Sequence, residues 1–186
     1  MLNPLKSPDM NILIISASHN PNSKSFILSE AALDYFKTQS INAKLIDMRE
    51  WPIPFCDGSS AYGDEKVQTL NKQIESADGI IMATPIYNYD TNAVAKNLIE
   101  LTGRAWTNKV VGFLCAAGGK GSYMSVMSIA NSLMLDFRCV ILPRFVYATG
   151  SDFENNAVHT PEIEERLKDF CLTFQKYVEA IGKIDL

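Results

Sequence analysis

Apolar and polar residues follow two patterns along the chain, and together they indicate a parallel sheet covered by helices. Short runs that are apolar throughout, such as residues 11–16 (NILIIS), are typical of parallel strands buried on both faces. Between these runs, apolar residues recur every three or four positions, as Val94, Leu98 and Leu101 do, which is the spacing of one helix face. The patterns predict strands over 11–16, 43–47, 80–83, 109–116 and 139–142, and helices over 26–38, 64–77, 94–101, 123–137 and 161–181. The fifth strand is either extended beyond 142 or followed by the apolar residues 145–147 (FVY).

Strands that alternate with helices over 186 residues predict a single α/β domain. The expected architecture is a doubly wound sandwich, with a five-stranded parallel sheet in the order 2-1-3-4-5 and helices on both faces. In such a sheet, ligands bind in the loops that follow the carboxyl ends of the strands. Residues 1–9 are predicted to be a flexible lead-in, because they contain no apolar run long enough for a signal peptide.

Composition narrows the classes of partner. The formal net charge is −4 and no basic cluster is present, so neither nucleic acid nor an anionic membrane is expected as a partner. No apolar run approaches the roughly 20 residues of a membrane span. The four cysteines lack metal or redox spacing, which favours structural roles and a reducing, cytoplasmic setting. With only two histidines, far apart, a metal site is not expected.

The loop after the first predicted strand is rich in short hydroxyl side chains. Ser18, Ser23 and Ser25 stand in it directly ahead of a helix. Hydroxyl groups, free backbone N–H groups and a helix N-terminus together make an anion site suited to a phosphate. The alternative is a solvated loop that ends in a serine N-cap.

Two further loops are expected at the same edge of the sheet. The turn Pro85-Ile86-Tyr87-Asn88-Tyr89 offers flat apolar faces and an amide, which suit a planar heteroaromatic ring. The turn from Gly118 to Ser122 permits close backbone approach to a ligand. Neither G-x-x-x-x-G-K-[ST] nor G-x-G-x-x-G occurs, which argues against a nucleoside triphosphate or a Rossmann dinucleotide. A phosphate at one loop and a ring between the other two describe a mononucleotide, and flavin mononucleotide (FMN) fits best.

Two segments carry a specific family resemblance. Pro85-Ile86-Tyr87-Asn88, followed by Lys96-Asn97-Leu98-Ile99-Glu100, resembles the P-x-Y-N…L-K-N-x-I-D signature of the NAD(P)H-dependent FMN reductases. That family includes quinone, azo-dye and chromate reductases and has a flavodoxin-like fold. The resemblance implies FMN as cofactor and NADPH or NADH as electron donor. The residues that it and the loops assign to the cofactor are Ser16, Ser18, Asn20, Ser23, Lys24, Ser25, Pro85, Ile86, Tyr87, Asn88, Tyr89, Ala117, Gly118, Gly119 and Gly121.

The chain departs from the family pattern mostly in the phosphate loop. The family's G-S-x-R-x-x-S-x-N has Ala17 in place of the glycine, Asn20 in place of the arginine and Ser25 in place of the asparagine. After the tyrosine turn, Asn92-Ala93 replaces a proline-glycine pair. Loss of the arginine predicts weaker phosphate binding, by about 1.5–3 kcal/mol for one charge-assisted hydrogen bond.

The resemblance implies that hydride passes from NAD(P)H to FMN and then to a small acceptor, in a ping-pong scheme that needs no catalytic side chain. The acceptor could be a quinone, a flavin, an azo compound or a metal oxyanion. A flavin-binding electron carrier or redox sensor without NAD(P)H turnover, and a fold member that no longer binds flavin, are the alternatives. Residues 124–137 are apolar on most of their helical circumference, which together with the resemblance predicts a homodimer or homotetramer.

Overall fold

The structure is a computed structural model that describes residues 10–184, so the predicted lead-in at residues 1–9 lies outside the described residues. The strands are β1 Asn11–Ser16, β2 Asn42–Asp47, β3 Gly79–Tyr87, β4 Asp90–Thr91, β5 Val110–Ala117, β6 Val140–Ile141, β7 Val146–Thr149, β8 Phe153–Glu154 and β9 Ala157–Val158. The α-helices are α1 Lys24–Thr38, α2 Glu65–Glu75, α3 Ala93–Thr102, α4 Met127–Phe137 and α5 Pro161–Ile181.

The main sheet has the predicted parallel order, β2-β1-β3-β5, with β6 and β7 in succession at the fifth position. Of the two predicted alternatives for the fifth strand, the second is therefore correct, because a separate strand over Val146–Thr149 follows the first. Five positions separate Ile141 from Val146, whereas three separate their partners Val111 and Leu114, so the chain bulges between the two short strands. Pro143 has no N–H for the ladder and Arg144 has a φ of 59°, and both residues lie in this bulge.

Helices cover both faces of the sheet, as predicted. Helices α1 and α5 pack on one face, and α2, α3 and α4 pack on the other. The approach of α5 is close, because a Cβ atom added to Gly112 of β5 would lie 2.6 Å from Cζ of Phe170. The fold thus rests on two apolar layers, and the carboxyl ends of β1, β3, β5 and β7 are left for other roles.

Two boundaries differ from the sequence prediction. Strand β3 does not break at Thr84-Pro85 but continues to Tyr87. It tolerates Pro85 because its pairing with β1 ends at Ala83, so beyond that point one side of β3 has no neighbouring strand to receive an N–H. The helix predicted over 123–137 begins instead as a 3₁₀ helix, Lys120–Val126, which turns into α4.

Within residues 10–184, none of the helices combines the length and the apolar character that crossing a bilayer requires.

Candidate functional site

Four loops at the carboxyl edge of the sheet enclose a cavity of about 600 Å³. This volume lies within the usual range for small-molecule sites. The first loop contributes Ser18, Asn20, Asn22, Ser23, Lys24 and Ser25 to the cavity wall. The second, with the end of β3 that leads into it, contributes Pro85, Ile86, Tyr87 and Asn88. The third contributes Gly118, next to Ala116 and Ala117 at the end of β5, and the fourth contributes Gly150.

The hydroxyl groups of the first loop are held in place before any ligand arrives. Ser23 is the N-cap of α1, and its Oγ accepts a hydrogen bond from the Phe26 N–H at 3.1 Å. The Oγ atoms of Ser23 and Ser25 lie 3.0 Å apart and share a hydrogen bond. Both side chains are buried, as is Ser18. The serine N-cap of the alternative interpretation is thus present, and the same residue, Ser23, lines the cavity wall.

The same loop offers unused backbone donors. Among the described residues, no acceptor contacts the N–H groups of Lys24 and Ser25 in the first turn of α1. A helix N-terminus with free N–H groups and aligned peptide dipoles favours a phosphate. The residues present therefore fit the phosphate of a mononucleotide.

Asn92 holds the first loop against the second. Its Nδ2 donates to the carbonyl oxygen of Ala17, and its Oδ1 accepts from the Ala95 N–H at 3.1 Å as the N-cap of α3. The same Oδ1 accepts from Thr84 Oγ1 at 3.2 Å, and all of these groups are buried. The departure from proline-glycine at this point thus gives the chain a cross-link between two walls of the cavity.

The tyrosine turn is a two-residue β-hairpin. Tyr87 of β3 pairs with Asp90 of β4, and the two residues between them, Asn88 and Tyr89, have φ values of 51° and 63°. Left-handed φ at both positions is the hallmark of a type I′ turn, in which asparagine is common and tyrosine is strained. Asp90 accepts a hydrogen bond from Ser128 Oγ of α4 at 2.6 Å, which fixes the hairpin on that helix. The tyrosine rings stay exposed, to 51% for Tyr87 and 75% for Tyr89.

The glycine-rich turn is fixed from behind. The Tyr147 hydroxyl of β7 donates to the Gly119 carbonyl oxygen at 2.6 Å and shares a 2.7 Å hydrogen bond with Ser122 Oγ. Gly118 lines the cavity, and a Cβ atom added to it would meet nothing within 4 Å. The backbone of this turn therefore borders open space. A ring edge could approach it without meeting a side chain.

The fourth loop follows β7 and was not predicted as part of the site. Gly150 lies on the cavity wall, and Thr149 and Asp152 on either side form a capping box. Asp152 accepts hydrogen bonds from the Thr149 N–H at 2.7 Å and from Thr160 Oγ1 at 2.8 Å. Burial alone would raise the pKa of Asp152, but these hydrogen bonds outweigh it, so the pKa is lowered from its usual value.

Eleven of the predicted cofactor residues line the cavity and four do not. Ser16 is fully buried at the end of β1, and its Oγ has no hydrogen-bond partner among residues 10–184. Gly119, Gly121 and Tyr89 lie in the predicted turns but outside the wall. The wall residues missed by the sequence prediction are Asn22, Ala116 and Gly150. Asn22 lies within the predicted phosphate loop, between Asn20 and Ser23. Gly150 was missed because the apolar residues 145–147 did not indicate that β7 continues to Thr149, directly before Gly150.

The sheet and its two helix layers define a flavodoxin-like fold, and the residues that line the cavity fit a mononucleotide. The family model for NADPH-dependent FMN reductases matches residues 10–154, and the chain belongs to that family. The chain is therefore an NAD(P)H-dependent FMN oxidoreductase, with FMN as cofactor and NAD(P)H as electron donor, as the resemblance implied.

Relatives with known names agree with this assignment. An NAD(P)H-dependent FAD/FMN reductase of Geobacillus thermodenitrificans is 30% identical over 131 residues, which cover 68% of this chain and 70% of that protein. An FMN-dependent NADPH-azoreductase of Staphylococcus aureus is 28% identical and covers 79% of this chain and 81% of its own length. The structure of the flavoenzyme NAD(P)H:(acceptor) oxidoreductase FerB from Paracoccus denitrificans superposes with a TM-score of 0.77 at 18% identity, covering 92% and 98% of the two chains. At 18% identity, the similarity to FerB shows that the two proteins share a fold.

Proposed function

We propose that the cavity at the carboxyl edge of the sheet binds FMN, and that the chain uses it to transfer hydride from NAD(P)H to a small acceptor. The observation that supports this most directly is the arrangement of the cavity, with buried hydroxyls and free N–H groups on one wall and the exposed Tyr87 on another. A polar anion site joined to a flat aromatic site matches the two chemically different ends of FMN.

Each wall has a distinct part in the proposal. The hydroxyls of Ser18, Ser23 and Ser25 and the first turn of α1 hold the phosphate. The hairpin residues Tyr87 and Asn88 contact the ring and the ribityl chain. The N–H groups near Gly118 stabilise negative charge at the ring's carbonyl edge, as preorganised donors do at an oxyanion.

When bound, FMN supplies two-electron chemistry, with hydride arriving from NAD(P)H and electrons leaving to an acceptor in a ping-pong order. The protein contributes the fixed position of the ring and an open face beside Tyr87. No side-chain acid or nucleophile is required at the cavity. Since an open face admits many planar molecules, we propose quinones and azo compounds as the acceptors to test first. Azo compounds are in line with the name of the Staphylococcus aureus relative, and a rice relative 26% identical over 181 residues is named a probable NADPH:quinone oxidoreductase.

The test begins with the purified protein. Its visible spectrum is recorded, its released cofactor is identified by chromatography, and the flavin-free protein is titrated with FMN. Saturable binding near one FMN per chain, followed by NADPH oxidation that depends on added quinone with parallel double-reciprocal plots, is the expected result. Flavin binding without NAD(P)H turnover would favour an electron carrier, and absence of flavin binding would overturn the proposal.

We propose further that the chain assembles as a homodimer through α4 and the 3₁₀ helix before it. Met124, Met127, Met134 and Leu135 are exposed there, Leu135 to 81%. The first three recur at helical spacing, so they form one apolar stripe, and Ser128 of the same segment contacts the hairpin at Asp90. A second copy covering this stripe would bring its own residues near the open end of the cavity.

Light scattering after size-exclusion chromatography tests the assembly. The unmodified protein is expected to elute as a dimer or tetramer, and Met127→Asp, in the stripe, is expected to give a monomer because it buries a charge in the interface. Leu172→Asp, on an exposed position of α5, is the matched control. A monomeric unmodified protein would contradict the assembly and leave the flavin site unaffected.

All four cysteines are free, three of them buried, which supports the proposed cytoplasmic setting.

A further inference from the structure

Arg49 lies outside the cavity wall, in the loop after β2, yet it makes three kinds of contact around the first loop. Its Nε donates to Asp47 Oδ2 at 2.8 Å, which forms a two-pronged ion pair at the end of β2. One Nη group donates to the carbonyl oxygen of Pro21 at 3.1 Å. The guanidinium also stacks on the Phe26 ring, with Cζ 4.2 Å from the ring centroid.

These contacts fall on both sides of the segment that would hold the phosphate. Pro21 directly precedes residues 22–25, all of which line the cavity, and Phe26 directly follows them. One planar guanidinium therefore fixes both ends of a four-residue segment. A lysine cannot reproduce this, because only the planar fork pairs with a carboxylate through two N–H groups while stacking on a ring.

The positive charge of Arg49 is largely compensated by the neighbouring carboxylate of Asp47. Asp47 is 12% exposed and Arg49 26% exposed, so the pair is partly shielded from water. The Asp47 hydrogen bond raises the pKa of Arg49, so the guanidinium stays charged. Since the two charges cancel at a distance, the main effect of Arg49 on a bound anion is through the shape of the loop.

We propose that Arg49 is a positioning residue that holds residues 22–25 in the phosphate-binding conformation, and that it thereby sets the selectivity for FMN over riboflavin. This inference rests on the proposed function, because it assumes that FMN binds in the cavity. A loop that is ordered in advance loses less conformational freedom on binding, so affinity for the phosphate rises without a direct contact. Riboflavin, which lacks the phosphate, gains nothing from this order.

The experiment measures dissociation constants of FMN and riboflavin for the flavin-free protein, by quenching of flavin fluorescence. Arg49→Met is expected to weaken the binding of FMN on the order of ten-fold, because the loop loses the charge-assisted hydrogen bond from Arg49 to the Pro21 carbonyl oxygen. The dissociation constant of riboflavin is expected to change less than two-fold. Arg49→Lys is expected to recover only part of this loss. Arg104→Met, at an exposed arginine in the 3₁₀ helix Gly103–Trp106 that follows α3, removes the same charge and is expected to change neither constant.

A double variant separates position from charge. Arg49→Met leaves Asp47 uncompensated, and its negative charge could repel a phosphate, whereas Asp47→Asn with Arg49→Met removes both charges. The double variant is expected to keep the ten-fold loss for FMN. Recovery of FMN affinity in the double variant would overturn the inference in favour of simple repulsion.

Two other outcomes would also overturn the inference. Equal losses for FMN and riboflavin, together with a lower melting temperature, would show that Arg49 only stabilises the fold. Unchanged FMN binding in Arg49→Met would show that the loop holds its shape without it. If the unmodified protein binds neither flavin, the proposed function itself fails and this inference fails with it.

Discussion

The two ends of the cavity differ in how firmly the fold holds them. At the end formed by the first loop, Ser18, Ser23 and Ser25 are at most 5% exposed, and the loop is tied to its surroundings by Asn92 and Arg49. At the hairpin end, Tyr87 and Tyr89 are more than half exposed, and Tyr89 adopts a backbone conformation that tyrosine rarely takes. The first end has few conformations open to it, while the second presents its aromatic faces to solvent.

This difference suggests a division of tasks between the ends. A rigid polar end suits a group that is always the same, such as a phosphate, because preorganisation raises affinity. An open aromatic end suits molecules that must enter and leave in turn, as a ping-pong scheme requires. Substitutions can test the division by breaking one end while leaving the other unchanged.

The largest effect is expected from Asn92→Ala, which removes the cross-link between the first two loops. The substitution deletes the N-cap of α3 and leaves the buried Ala17 carbonyl and Thr84 hydroxyl without this partner. An N-cap contributes about 1 kcal/mol and an unsatisfied buried group costs about 1–3 kcal/mol, so a loss of about 3 kcal/mol in the free energy of unfolding is expected. Urea denaturation of the flavin-free protein measures it.

Asn71→Ala, at a half-buried position on α2, is the control for Asn92→Ala and is expected to change stability by less than about 1 kcal/mol. If Asn92→Ala lowers the free energy of unfolding no more than the control does, water must replace the hydrogen bonds of Asn92. The first loop would then be less rigid than its contacts suggest.

The next effect concerns affinity at the rigid end. Ser25→Ala removes one hydroxyl from the cavity wall, and Ser29→Ala removes an equally buried hydroxyl one turn further along α1, away from the wall. Ser25→Ala is expected to weaken FMN about ten-fold, since hydrogen bonds to charged groups contribute about 1.5–3 kcal/mol. Riboflavin binding should stay nearly constant, and Ser29→Ala should alter neither constant. Equal effects of the two serines would contradict a phosphate at this end.

The open end should give the opposite signature. Tyr87→Ala removes one aromatic face from the cavity and is expected to weaken FMN and riboflavin alike, about five-fold, because an aromatic contact contributes about 1 kcal/mol. The control is Tyr62→Ala, at an exposed position on the 3₁₀ helix Ser60–Gly63. Fluorescence titration with both flavins measures the effect. A loss restricted to FMN would mean that the hairpin, too, contacts the phosphate.

Sequence patterns predicted the fold well wherever the signal was local. Apolar runs and helical spacing predicted the parallel sheet and both helix layers. A strand buried on two faces is apolar at every position, and a helix packed on a sheet is apolar every three or four positions. The bulge before β7 was not resolved in this way, because the apolar residues 145–147 were compatible with an extended fifth strand or with a separate one. The choice depends on how β6 and β7 pair with β5, and a pairing register is a property of two distant segments.

The same limit applied to the site. Eleven wall residues were predicted because they lie on loops whose hydroxyls, tyrosines or glycines stand out. Gly150 and the supporting residues Asn92 and Arg49 were not recognised, since their roles come from contacts with residues far away in sequence. Asn92 even appeared as a loss, because it replaces a proline, whereas in the structure it joins two loops.

The smallest effect is expected from Asp152→Asn, in the fourth loop. The hydrogen bonds that support this loop are made by the Asp152 carboxylate, so their contribution to stability depends on pH. The pKa of Asp152 is lowered in the folded protein, so its hydrogen bonds to Thr149 and Thr160 stabilise the fold fully above the usual aspartate pKa of about 3.9. That stabilisation is lost as the pH falls through the lower, folded pKa. Melting temperatures of the unmodified protein and of Asp152→Asn should differ by a constant amount from pH 5 to pH 8 and converge below about pH 4. A difference that persists at low pH would show that shape rather than charge supports this wall, as we infer for the first loop.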